Sequence, residues 1–382
     1  MSSAAAATIM EHFADIEDPR VDHTKDHDLL DIIVIAICAV ICGADGWVGI
    51  ERFGNAKLVW LETFLDLPHG IPSHDTFGRV FARVDPEALQ HSFLAWMQAV
   101  QELTEGQVIA IDGKCLRRSF DTWTGKAAIH MVSAWASENH VVLGQRKVAS
   151  KSNEITAIPA LLELLALSGC IVTIDALGCQ KDIAEQIVDQ DADYVLALKD
   201  NQPHLHEDVQ KLFYWAANVE FEDIRHDRYR EVDAGHGRIE TRECWTISDP
   251  DCLAMLANHR EWQNLRTVIR VRAQRRVGEE VSTEERYYIS SLAADTPDLA
   301  KTAAHAVRSH WGVENELHWV LDVGFREDDS RIRQGHAAEN MAVLRHIALN
   351  LLKQETSRKV GIKNKRLEAG WNHEYLEKVL SV

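Results

Sequence analysis

Between residues 108 and 218 the chain sets out short apolar runs and helical stretches in an order that leaves few folds open. VIAIDGK (residues 108–114), AAIHMVSAWAS (127–137) and HVVLGQRKV (140–148) read as three successive strands joined by short turns, an antiparallel meander. ITAIPALLELLAL (155–167) then reads as a helix, GCIVTIDA (169–176) as a buried strand, QKDIAEQIVDQ (180–190) as a helix, DYVLALK (193–199) as a strand and PHLHEDVQKLFYWAA as a further helix. Strands joined through helices pair in parallel, so a meander followed by such crossovers makes a mixed sheet with helices on both faces.

The order βββαβαβα is that of a ribonuclease H-like fold. A dinucleotide-binding fold does not start with a meander, and no GxGxxG follows the first strand. HGRIETRECWTIS, NLRTVIRVRAQRRV and STEERYYISSL mark a β-rich insertion over about residues 225–295. Helices over 296–308 and 312–323 follow, then the amphipathic MAVLRHIALNLLKQE, and the tail after Glu355, basic up to Arg366, reads as an appendage. Residues 8–100 are helical in pattern, with a run at 29–42 apolar nearly all round, a helix over 48–65, Ser73 as an N-cap and Pro86 in a first turn. The expected division is an all-α domain over 1–104 and an α/β domain over 105–382. Arg52 and Lys57 on one N-terminal helix, with Arg79 and Arg83 on another, suit a helix-turn-helix-like contact with DNA.

The 382 residues are enough for two or three domains at roughly 150 residues each. Lys and Arg number 41 against 59 Asp and Glu, a net charge of −18, so any nucleic-acid contact must rest on local basic surface. The best such stripe carries Arg266, Arg270, Arg272, Arg275 and Arg276. Seven cysteines without CxxC spacing suit reduced thiols in a cytosolic protein. The N-terminus lacks the pattern of a signal peptide, and the apolar run at 32–44 is too short to span a bilayer, so no membrane partner is expected.

Two aspartates end or nearly end apolar strands, Asp112 in VIAIDGK and Asp175 in CIVTIDALGCQ. In the expected sheet the first and fourth strands are neighbours, which sets the two carboxylates side by side. Such a pair repels unless a cation lies between, and hard oxygen donors favour Mg²⁺ or Mn²⁺. Glu314 is a third candidate, sharing a helix face with His310, Trp311, Leu317 and His318. Glu316, Asp322, Glu327, Asp328 and Asp329 compete with it.

IDGKCLRRSFD, KSNEITAIPALLELL, IVTIDALGCQKDIA, DYVLALKDNQ and HWGVENELHWVLDVGFREDDSRIR together closely resemble the H-repeat-associated type of bacterial insertion-sequence transposase, within the DDE superfamily. RVDHTKDHDLLDIIVIAICAVICGADGWVGIERFG and GIPSHDTFGRVF are similar to its associated helical domain, so the resemblance covers about residues 10–380. It implies that Asp112, Asp175 and Glu314 are the DDE residues, holding two Mg²⁺ ions, with Mn²⁺ as a substitute. It also implies cutting of double-stranded DNA at the element's terminal inverted repeats and joining of the 3′ ends to target DNA. At least a dimer on DNA and a cytoplasmic, nucleoid-associated location follow from the same resemblance. The wider superfamily's Tyr-x2-Arg-x3-Glu-x6-Lys signature is broken here, where Val307, His310, Glu314 and Leu321 occupy those positions. Lys114, Arg117, Arg118, Lys199, Arg270, Arg272, Arg275, Arg308, His310 and Trp311 are the expected DNA contacts. The alternatives are a domesticated, non-transposing DNA-binding protein, or a host Mg²⁺-dependent nuclease derived from such a transposase.

Overall fold

The computed structural model describes residues 9–22, 25–100, 106–120, 128–148, 154–235 and 237–381. After a short helical segment at residues 9–13 come four helices: α1 (Leu29–Ile41), α2 (Trp47–Leu61), α3 (His74–Phe81) and α4 (Pro86–Val100). The α1 sequence LLDIIVIAICAVI is apolar on every side, and all but Leu30 is buried. Ser73 caps α3, its Oγ accepting the Thr76 N–H at 3.3 Å.

Among the described residues, nine strands form a single mixed sheet. They are β1 (Val108–Leu116), β2 (Ile129–Ala136), β3 (Val141–Val148), β4 (Ile171–Ile174), β5 (Asp193–Leu198), β6 (His226–Gly235), β7 (Arg238–Ile247), β8 (Thr267–Val277) and β9 (Glu280–Ser290). Their order in space is β3-β2-β1-β4-β5-β9-β8-β7-β6. β1 is antiparallel to β2 and parallel to β4, and β4 is parallel to β5, as expected of a ribonuclease H-like core. The insertion holds four strands and joins the core sheet through the antiparallel β5–β9 pair.

Intervening helices are α5 (Glu154–Leu162), α6 (Lys181–Asp189), α7 (Pro203–Asn218) and α8 (Pro250–Ala254). After β9 come α9 (Leu299–Gly312), a π-helical turn (Val313–His318), α10 (Trp319–Phe325), α11 (Ala337–Gln354), α12 (Ile362–Trp371) and α13 (His373–Leu380). α5 covers β2 and β3, whereas α9 lies across β1 and β4 and reaches the insertion. α11 is buried from Ala337 to Leu352 and packs on α1, so the N-terminal helices share their core with the C-terminal ones.

Three expectations are corrected. The two helices expected at 296–323 are one continuous helical rod interrupted by the π turn. The tail is no appendage: two of its basic residues, Lys365 and Arg366, are buried and cap the two central helices, while Arg358, Lys359 and Lys363 stay exposed. Arg366 donates to the carbonyls of Val40 (2.8 Å) and Ala44 (3.3 Å) at the end of α1, and Lys365 to that of Leu352 (2.8 Å) at the end of α11. β6, absent from the sequence reading, is an edge strand whose residues are half-buried or exposed throughout.

Candidate active site

The register of the parallel β1–β4 pair is the foundation of the site. Ile111 pairs with Ile174, so the next residue on each strand, Asp112 and Asp175, emerges at the same edge of the sheet. Asp175 ends β4 and caps the short turn after it, its Oδ1 accepting the N–H groups of Leu177 (3.0 Å) and Gly178 (3.4 Å). Glu314 enters from the π turn. Asp112, Asp175 and Glu314 line one cavity of about 320 Å³, together with Lys199, His310 and Trp311.

Burial drives the Asp112 carboxyl up to about 7, with Asp175, Glu314 and Glu154 adding repulsion and the Gly113 N–H opposing them. Glu154, which the sequence reading did not single out, starts α5 behind β1 and lies so close that a Cβ on Gly113 would stand 2.9 Å from its carboxyl carbon. Gly113 is what lets that helix end approach.

Side chains from β4 and β1 hold the rod that carries Glu314, one on each side of that residue. On its N-terminal side, His310 Nδ1 meets Thr173 Oγ1 of β4 at 3.1 Å, and burial lowers the pKa of the imidazole. On its C-terminal side, the Lys114 ammonium of β1 donates to the His318 carbonyl (3.3 Å), Asp322 Oδ1 (2.6 Å) and Glu327 Oε2 (2.8 Å). Glu327 in turn faces Arg345 of α11 at 3.5 Å. His318 Nδ1 stands 3.6 Å from Asp112 Oδ2, and burial lowers this imidazole to about 3, keeping it neutral. The π turn undoes the simple face expected around Glu314: Leu317 is fully buried and His318 points at Asp112, while Glu314 and Trp311 stay open to solvent.

The other expected contacts scatter. Lys114, expected to hold phosphates, is 11% exposed and committed to two carboxylates. Arg117 pairs with Asp328 (3.2 Å) and Arg118 with Asp329 (3.4 Å). Arg270 stacks on Trp245 at 4.3 Å, and Arg272 faces Glu285 at 3.8 Å. Arg275 and Arg308 line a second groove of about 660 Å³ between the insertion and α9. Arg286, over the Trp311 ring at 4.6 Å, belongs to the walls of both cavities.

Among the described residues no three His, Cys, Asp or Glu side chains already form a closed metal-binding set. The donor chemistry nevertheless fits a hard divalent cation. Three carboxylates line one cavity, the Asp112 carboxyl pushed up by burial and then by its neighbours' charge, while Asp175 and Glu314 are exposed.

The family described as "Transposase DDE domain" matches residues 103–351, and "DDE_Tnp_1-associated" matches residues 10–97. "Putative transposase YncI" of Escherichia coli O157:H7 is 44% identical over 98% of this chain and 94% of its own. "H repeat-associated putative transposase YhhI" of Escherichia coli K12 is 41% identical over 98% of this chain and 97% of its own. A piggyBac transposase in a synaptic complex with hairpin DNA aligns over 99% of this chain and 79% of its own at TM-score 0.38 and 11% identity, a likeness too distant to bear on the site.

Proposed function

The chain belongs to the DDE transposase family, and we propose that it cuts DNA at the ends of an insertion sequence and joins the freed 3′ ends to target DNA. The observation that carries this reading is the β1–β4 register, which sets Asp112 beside Asp175 in a cavity that Glu314 also lines. Asp112, Asp175 and Glu314 would hold the metal ions. Two Mg²⁺ ions, or Mn²⁺ in their place, would supply activation of the attacking oxygen and charge neutralisation on the leaving one.

The chain's own groups do the rest. Burial of Asp112 at the floor of the cavity raises the cost of leaving its charge uncompensated, so the site favours cation binding over an empty acid cluster. Lys199 and His310 line the same cavity and face the scissile phosphate's surroundings, and Trp311 offers a ring to an unstacked base. Arg275 and Arg308, in the adjoining groove, hold the phosphate backbone of the duplex leading into the site. The helices before β1 act as the associated domain on the flanking DNA, and synapsis of two ends brings two copies together in the bacterial cytoplasm. No helix among the described residues is long and apolar enough to cross a membrane.

The test is a labelled duplex carrying the element's end, incubated with Mg²⁺, with Ca²⁺, and with Mg²⁺ plus Asp175→Asn. End-specific cleavage in the first lane alone is the expected result. Specific binding without cleavage in every lane would instead identify a domesticated DNA-binding protein, and cleavage without preference for the element's end a host nuclease.

A further inference from the structure

The two strands that present the site's aspartates, β1 through Asp112 and β4 just before Asp175, each carry a second polar side chain two residues from its aspartate. Thr173 precedes Asp175 by two, and Lys114 follows Asp112 by two, so each shares its strand face with its aspartate. Both reach the same rod, on opposite sides of Glu314. Thr173 is buried, and its hydroxyl meets His310 at 3.1 Å, one turn before Glu314. Lys114 donates to the His318 carbonyl and to Asp322, on the turns after it.

The segment between these anchors is the π turn, closed by the Trp319 N–H donating to the Glu314 carbonyl. A π turn adds one residue to the hydrogen-bonded ring and shifts the phase of everything beyond it, so the direction of Glu314 depends on where the two flanking α segments are held. We propose that Lys114 and Thr173 are positioning residues that clamp the π turn, and thereby set Glu314 against the aspartate on each one's own strand. The inference rests on the metal-binding reading of the three carboxylates. It gives Lys114 a role in shaping the ligand set rather than in holding DNA, and it explains why the ammonium is walled in by Asp322 and Glu327 instead of facing the cavity.

Mn²⁺ is the probe, its affinity read without DNA from the electron paramagnetic resonance signal of the free ion. The variants are Thr173→Val, which keeps shape and loses the hydroxyl, and Lys114→Met with Asp322→Asn, which removes the cation together with one counter-charge. Amide hydrogen exchange over residues 299–325 is followed in parallel on the same folded proteins. Each variant is expected to lose Mn²⁺ affinity by about 10- to 100-fold, the range for groups that orient metal ligands, with faster exchange confined to residues 313–322. Lys114→Arg should recover part of the loss.

Mn²⁺ affinity within twofold of the native protein, or faster exchange spread evenly along α9 to α11, would overturn the clamp. A native protein that binds no Mn²⁺ would refute the metal reading instead. The exchange profile then decides the clamp alone, local acceleration supporting it and uniform acceleration or none defeating it.

Discussion

At the scale of single residues, the most consequential group outside the carboxylate cavity is Glu327. Burial pushes its carboxyl up, yet Lys114 and Arg345 together hold it down to about 2, against an ordinary value of 4.5. Its contribution to stability is therefore complete above about pH 4.5 and is lost as pH falls towards 2. His346, beside it in α11, is driven by burial down to about 4 from 6.5. The unfolded chain takes up that proton first, so stability also falls between about pH 6.5 and 4, at up to roughly 1.4 kcal/mol per pH unit. Urea midpoints at pH 7 and pH 5 should show the drop, and His346→Leu should shrink it, because the imidazole Nδ1 has no hydrogen-bond partner to lose. Glu327→Gln leaves two buried cations without their shared counter-ion and should cost about 3–5 kcal/mol at pH 7, read from the same denaturant curves.

At the scale of elements, β3 is the sheet edge that the fold protects. Asn350 of α11 accepts the Val142 N–H and donates to the Val142 carbonyl, both at 2.9 Å, taking the place of a neighbouring strand at that residue. Asn350→Leu would strand a buried donor and a buried acceptor, each worth about 1–3 kcal/mol. Thermal unfolding should register that loss with the far-ultraviolet spectrum of the folded state unchanged. The core strands were legible because VIAID, IVTID and YVLAL are apolar runs, and the two aspartates came with them, although β1 runs on past Asp112 to Leu116. β6 was not legible, because HDRYREVDAG buries almost nothing and has no apolar alternation to read. The π turn left no sequence signal either: VENELH fits an ordinary helix, and what shifts it are contacts to Thr173 and Lys114, more than a hundred positions away. Those separations also explain why Lys114 read as a phosphate contact, since its partners Asp322 and Glu327 are neighbours only in the fold.

At the scale of the whole molecule, a net charge of −18 means that contact with a polyanion must be confined to a few cations. Many candidates are already spoken for, Arg117, Arg118 and Arg272 by carboxylates and Arg270 by aromatic rings. Arg275→Ala and Arg308→Ala are therefore expected to lower the slope of log affinity against log salt concentration by about 0.9 each on a random-sequence duplex, as fluorescence anisotropy titrations would show. Arg117→Ala should leave the slope nearly unchanged.

Within the sheet the insertion joins β5 through one strand pair, the antiparallel pairing with β9, and β9 arrives only after the whole of β6 to β8 has been made. On the ribosome, β5 therefore emerges as a bare edge with an apolar sequence and waits for a strand that is still to be synthesised. Closing so long a loop is slow, and an unpaired edge in the interval invites pairing with another chain. Yield of the soluble protein should depend on how fast the stretch from β6 to β9 is translated, so that the sheet's continuity, a source of rigidity once complete, is also the slow step in its birth.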